Sequence, residues 1–166
     1  MTSPDRITRY EMLILMAQVV SKRSTCSRSQ VGVIVAIESR PLVSGYNGAP
    51  AGLPHCDHTC SCTPDVIHSG SGDVIRAIHE KDCPAGEPCT IAVHAEANAI
   101  AFAAKNGVRL ERSTLFSTLE PCLACSMLII NAGIVEVVYS APYRIHDGTT
   151  LLRTAGVRVW PSVRKE

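Results

Sequence analysis

The stretch Val31–Ile37, Val-Gly-Val-Ile-Val-Ala-Ile, restricts the fold of this chain more than any other. It is apolar throughout and rich in β-branched residues, whose stiff side chains suit an extended backbone. A strand with one wet face alternates polar and apolar residues. A continuous run of this length reads instead as a strand buried on both faces. Such a strand needs packed layers above and below it. Pro41 is expected to turn the chain, and Leu42–Tyr46 to form a second strand ending at Gly45-Tyr46-Asn47-Gly48.

The rest of the chain supplies those layers. Ile7, Tyr10, Ile14 and Ala17 share one helical stripe and Leu13, Met16 and Val20 the next, which predicts a helix over about residues 5–22. Beyond residue 90 the pattern alternates. His94–Asn106 reads as an Ala-rich helix closed by Gly107, Thr114–Thr118 as a strand, and Cys122–Asn131 as a helix with Gly133 just past its end. Ile134–Tyr139 is a further strand. Asp147 is the expected N-cap of a helix running to about Ala155, before Gly156 and a last strand at Val157–Trp160. Strands alternating with helices imply an α/β fold, a sheet sandwiched between helices. At 166 residues one domain is expected, spanning 1–166.

One segment breaks the pattern. Residues 48–90 hold five of the eight cysteines, five prolines and four of the six histidines. A short helix is expected at Asp73–Glu80. A loop this long inside a domain is usually functional or tied down, and a metal clip is one way to tie it. A chain of this size buries roughly 70% of its unfolded surface and needs no disulfides to fold. No leader is expected, because Asp5 and Glu11 interrupt a basic n-region, and Met12–Val20 is too short to span a membrane. Clustered Cys and His in a reducing compartment point to metal binding. The net charge is +1, with one Trp, four Tyr and two Phe. That gives no basic stripe and no stacking track for a polynucleotide, yet leaves room for a single nucleotide.

The chemistry gathers in His94-Ala95-Glu96 and Pro121-Cys122-Leu123-Ala124-Cys125. Cys122 and Cys125, spaced i and i+3, share one face of a helix's first turn, where the helix end favours thiolates. His94 opens another helix. If both helices start at one edge of the sheet, the three side chains converge. Catalytic zinc commonly takes three protein ligands and leaves its fourth position for water. Glu96 is then a spare carboxylate, better suited to carry protons than to bind the metal. Each piece alone has a plainer reading: a redox pair, half of a structural zinc site, or a surface carboxylate. The ordered set H-x-E then P-C-x-x-C is the signature of zinc nucleobase deaminases.

At these residues the chain resembles the cytidine deaminase superfamily, and within it the deoxycytidylate (dCMP) deaminases. Arg23-Ser24-Thr25-Cys26-Ser27-Arg28, Gly45-Tyr46-Asn47-Gly48-Ala49-Pro50-Ala51-Gly52, His94–Ile100, Pro121–Cys125 and Ile130–Ile134 carry the likeness, which extends through Tyr143–Asp147 and Ala155-Gly156-Val157. The resemblance implies a three-layer α/β/α sandwich on a mixed five-stranded sheet, with the Cys/His-rich insertion at about 48–90. It implies hydrolysis of dCMP to dUMP and ammonia, supplying thymidylate synthesis. His94, Cys122 and Cys125 would hold catalytic zinc, with Glu96 moving protons. Asn47, Ala95, Asn98, Tyr143 and Arg28 would serve the substrate. Gly48, Ala49, Pro50 and Gly52 would line a site for a dCTP or dTTP effector, the triphosphate carrying Mg2+. A homo-oligomer, such as a hexamer, is implied, with Phe102 and Lys105 on a helix that makes subunit contacts. The setting implied is the cytoplasm of a bacterial or phage-infected cell. The same chemistry on dCTP, 5-modified dCMP or another nucleobase is the alternative within the class. A non-catalytic zinc-stabilised binding module is the alternative outside it, and Glu96 argues against that.

The remaining cysteines exceed what one site needs. By the same resemblance, Cys26, Cys56 and Cys89 match ligand positions of a second, structural zinc. Cys83 is a candidate for the fourth, with Cys60, Cys62, His55 and His58 also in reach of the sequence.

Overall fold

The computed structural model describes residues 6–26, 29–52, 55 and 92–162. In order these form α1 (Arg9–Ser21), β1 (Gly32–Ile37), β2 (Arg40–Tyr46), α2 (Ala95–Lys105), β3 (Thr114–Leu119), α3 (Leu123–Asn131), β4 (Glu136–Ala141), α4 (Asp147–Thr154) and β5 (Arg158–Pro161). The strands make one five-stranded sheet in the order β2-β1-β3-β4-β5. β1 runs antiparallel to β2 and β3, while β3, β4 and β5 are parallel. The sheet is mixed and lies between two helical layers, as expected.

The apolar run of β1 shows why. Val33 and Val35 belong to the core shared with α2, α3 and α4, through Ala95, Ala99, Ile129 and Leu152. Ile34 and Ala36 point the other way, into a smaller core with Leu13, Ile14 and Ala17 of α1 and Phe116 of β3. A fully buried aliphatic or aromatic side chain of this kind contributes roughly 1.5–3 kcal/mol. Both βα crossovers, β3-α3-β4 and β4-α4-β5, step in the same direction along the sheet. Right-handed crossovers therefore put α3 and α4 on one face.

Several boundaries differ from the expectation. α1 starts at Arg9 because Thr8 caps it: Glu11 N–H donates to Thr8 Oγ1 at 3.1 Å and Thr8 N–H to the Glu11 carboxylate at 2.6 Å, a reciprocal capping box. Of the predicted stripes, Leu13, Ile14 and Ala17 are buried, whereas Ile7 and Tyr10 are exposed. Pro41 does not turn the chain. The turn is Glu38-Ser39, both at positive φ, and Pro41 lies inside β2. β2 is an edge strand, and the pairing skips Leu42 between Val43 and Pro41, so the proline sits beside a bulge where a missing N–H is tolerated. Asp147 is the first residue of α4 and not its cap; His146 takes the cap position, and the Asp147 charge lies in the favourable first turn. Gly107, Gly133 and Gly156 all follow helix ends at positive φ, as predicted. The helix expected at Asp73–Glu80 falls outside the described residues. Among the described residues no helix is long and apolar enough to cross a membrane.

Candidate active site

Strand direction brings the two halves of the site together. β2 and β3 are both antiparallel to β1, so they point the same way and end at the same edge of the sheet. α3 begins just after β3. α2 begins there too, because Gly48, after β2, pairs with Val93 through N–H to O contacts of 3.1 and 2.9 Å. His94 is the N-cap of α2 and Cys122 the N-cap of α3, both with extended backbone, and neither side chain caps its own helix. Freed from that task, both side chains turn toward each other.

Cys122 Sγ and Cys125 Sγ each lie 3.4 Å from His94 Nδ1, and the three donor atoms all fall within 4.8 Å of one another. Tetrahedral zinc, with ligands at about 2.0–2.3 Å, separates its donor atoms by roughly 3.6 Å. The observed set fits zinc in number, chemistry and spacing. Cys122 is the readier thiolate, pulled down to about 4 by the Cys125 thiol and by His94 against the opposing effect of burial. Cys125 is pushed up by the neighbouring Cys122 sulfur and by burial. Cys122 also raises the pKa of His94 by hydrogen bonding to it. A dication would favour the thiolate form of both cysteines and the neutral ring.

Glu96, in the first turn of α2, is 4% exposed. Its Oε2 lies 3.5 Å from Cys125 Sγ, which turns the carboxyl toward the ligand set. Burial raises its pKa, so the group holds a proton more readily than a surface glutamate. Glu96, His94 and Cys122 line a cavity of about 280 Å³.

Other expected site residues fall in different places. Asn47 lines the cavity but is already bound: its Oδ1 accepts from Val31 N–H at 2.8 Å and Ser24 Oγ at 2.6 Å, and its Nδ2 donates to Ser29 O at 2.8 Å. It fixes the entry to β1. Ala95 and Tyr143 also line the cavity. Asn98 donates from Nδ2 to Tyr46 O at 2.7 Å, tying α2 to the end of β2. Cys26 is buried and lines the cavity. Gly48, Ala49, Pro50 and Gly52 form the loop after β2, outside the cavity lining. Arg28, Cys56, Cys60, Cys62, Cys83, Cys89 and His58 lie outside the described residues, and His55 is exposed.

Two charged residues of the cavity lining, Arg144 and Glu120, are not among the expected site residues. Arg144 follows Tyr143, with its guanidinium carbon 5.9 Å from the Tyr143 ring centroid. Glu120, between Leu119 and Pro121, is 2% exposed. Burial works to raise its pKa, but bonds from His146, Thr149 and Tyr143 N–H outweigh that and hold the carboxyl below the usual range. A carboxylate directly after a largely buried strand was a usable signal, since a buried charge must be paired.

Comparison with known proteins agrees with this geometry. A sequence profile of the cytidine and deoxycytidylate deaminase zinc-binding region matches residues 7–141. Deoxycytidylate deaminase of Enterobacteria phage T2 is 30% identical over 167 residues, with 89% of each chain covered. That of Mycobacterium phage D29 is 40% identical over 129 residues, covering 78% of this chain and 91% of the relative. The crystal structure of dCMP deaminase from cyanophage S-TIM5, in complex with dCMP and dUMP, superposes with a TM-score of 0.71 at 30% identity, over 97% of this chain and 99% of that one. With His94, Cys122 and Cys125 converging and the Glu96 carboxyl beside them, the chain belongs to the cytidine and deoxycytidylate deaminase zinc-binding family.

Proposed function

We propose that this protein is a zinc-dependent dCMP deaminase, converting dCMP and water to dUMP and ammonia. The observation that carries the reading is the buried Glu96 carboxyl, turned toward the His94-Cys122-Cys125 set beside a cavity of about 280 Å³. His94, Cys122 and Cys125 would hold zinc, which would supply the Lewis acid that makes water a nucleophile at neutral pH. Glu96 takes the proton that water gives up and delivers it to the cytosine ring nitrogen N3 as the C4–O bond forms. Glu96 next takes the remaining proton of the attacking water, now on the C4 hydroxyl, and passes it to the exocyclic amine. The C4–N bond breaks, ammonia leaves, and a C4 carbonyl remains. Burial of Glu96 keeps bulk water away from this relay and suits a group that must both accept and release protons.

Substrate contacts follow the cavity wall. Asn47, held rigid by Val31, Ser24 and Ser29, meets the deoxyribose. Ala95 brings a helix N-terminal peptide N–H to the base. Tyr143 walls the pocket, and Asn98 braces α2. Arg144, in the cavity lining, is the guanidinium placed for the 5′-phosphate, with Arg28 a second candidate. A dCTP or dTTP effector, with Mg2+, would bind at Gly48, Ala49, Pro50 and Gly52. Cys26 with Cys56, Cys83 and Cys89 would hold a structural zinc. Exposed Phe102, Leu123, Met127 and Leu128 on α2 and α3 favour assembly into a homo-oligomer, and the setting is cytoplasmic.

The test is turnover of dCMP, dCTP, 5-methyl-dCMP, deoxycytidine and CMP, each with and without dCTP as effector and with a chelator control. Preference for dCMP, abolished by the chelator, is expected. In Glu96→Gln, turnover should fall by about 10²–10⁴-fold with zinc content unchanged. Zinc retained with none of the five substrates converted would break the substrate assignment, and unaltered activity in Glu96→Gln would remove the proton relay.

A further inference from the structure

The turn between β3 and α3 carries a second buried carboxylate that the deamination chemistry does not use. The Glu120 side chain is 1% exposed. Its oxygens accept from Tyr143 N–H at 2.9 Å, His146 Nδ1 at 2.8 Å and Thr149 Oγ1 at 2.7 Å. Its own N–H donates to Ala141 O at 2.8 Å. Backbone and side chain of one residue therefore grip the stretch that leads from β4 into α4. The far end of that stretch is also fixed. A Cβ on Gly148 would stand 2.3 Å from Pro121 O, so α4 starts hard against the backbone that carries Cys122.

Between these anchors the chain buries little apolar surface. Ala141, Pro142, Arg144, Ile145, His146 and Asp147 are all exposed. A segment with so little apolar burial opens at low free energy unless polar bonds restrain it. Yet Tyr143 and Arg144 of this segment line the cavity, together with Glu120 itself. We propose that Glu120 is a positioning residue, which holds Tyr143 and Arg144 as the wall of the nucleotide cavity and acts on substrate binding, not on proton transfer at Glu96. This rests on reading the cavity as the nucleotide site.

Two readouts test it, amide hydrogen exchange over residues 141–146 and steady-state kinetics on dCMP, with zinc content measured alongside. In Glu120→Ala the Tyr143 amide should exchange at least tenfold faster. KM should rise about tenfold, the worth of one buried hydrogen bond to a charged group, with kcat within about twofold and zinc retained. Glu120→Gln keeps one carbonyl oxygen for Tyr143 N–H, and its KM should return to within about threefold of wild type. If Glu120→Ala does not fold, Thr149→Val decides, with a KM raised two- to fivefold at unchanged kcat expected, again roughly one hydrogen bond. The proposal is overturned if kcat and zinc fall together while KM holds. It is also overturned if Glu120→Gln is as impaired in KM as Glu120→Ala, or if Thr149→Val matches wild type. A wild-type protein inert toward dCMP would end the substrate reading alone. The exchange data would still judge the wall, and unchanged exchange at Tyr143 would sink it.

Discussion

Replacing Gly45 by alanine should damage the active site from a distance. Gly45 lies in β2, under the first turns of α2. A Cβ there would stand 2.3 Å from Ala95 O, 2.8 Å from Ala99 N and 2.9 Å from Ala99 Cβ. All three belong to α2, and two are backbone atoms that cannot rotate away. A carbon and an oxygen approach comfortably at about 3.2 Å or more, so α2 and β2 must separate by about 1 Å. Overpacking of this kind costs about 1–3 kcal/mol, which for a chain of this length lowers Tm by roughly 2–12 °C. The displaced turn carries His94 and Glu96. A shift of about 1 Å in a reacting group costs on the order of 100-fold in rate. Circular-dichroism melting and kcat/KM on dCMP measure both effects. Wild-type Tm with turnover within twofold of wild type would refute the reasoning, because α2 would then not rest on β2 at the described distance.

Other perturbations have equally definite outcomes. Asn47→Ala leaves Val31 N–H and Ser29 O without their side-chain partner, while Ser24 Oγ keeps its bond to the Asn47 backbone O, and should cost about 2–4 kcal/mol in urea unfolding. Cys125→Ala should lose zinc by elemental analysis and lose turnover, since two ligands do not make a closed-enough site; full zinc content would contradict the ligand assignment. Glu136 is buried, and although burial works to raise its pKa, bonds from Trp160, Thr114 and Tyr10 hold it below the ordinary 4.5. Its stabilising contribution is present above the unfolded value and drains away as pH falls through the folded value. Glu136→Gln should therefore be less stable at pH 7 and show a shallower loss of stability below pH 4.5 than wild type. An identical acid-unfolding slope would show that Glu136 carries none of that dependence.

What the sequence revealed, and what it hid, divides along chain separation. Helix ends at Gly107, Gly133 and Gly156 are local decisions, and the residues making them are adjacent in sequence. The His94, Cys122 and Cys125 set was legible because residue type and spacing announce metal chemistry, and strand direction did the rest. Pro41 was misread because its tolerance depends on β2 being an edge strand with a bulge, which pairing alone decides. The exposure of Ile7 and Tyr10 follows from α1 beginning at the Thr8 cap and lying over β1 and β3, away from β5. The partners of Glu120 were hidden for a similar reason, although the carboxylate itself stood out. Its partners are 23 to 29 residues further on, brought to it by the parallel pairing of β3 with β4. Arg144 owes its place in the cavity to the same register.

The capping of the helices carries one more consequence. α1, remote from the chemistry, has a complete Thr8–Glu11 capping box, while α2 and α3 begin at His94 and Cys122 with no side-chain cap. A serine, threonine, asparagine or aspartate at each start would contribute roughly 1 kcal/mol. The chain forgoes that twice, at the two helix ends that carry His94 and Cys122 of the candidate metal set. In the metal-free protein a capping residue at either start should therefore raise Tm, whereas with zinc bound the same substitution should lower it, because the metal's contribution to the folded state exceeds that of a cap.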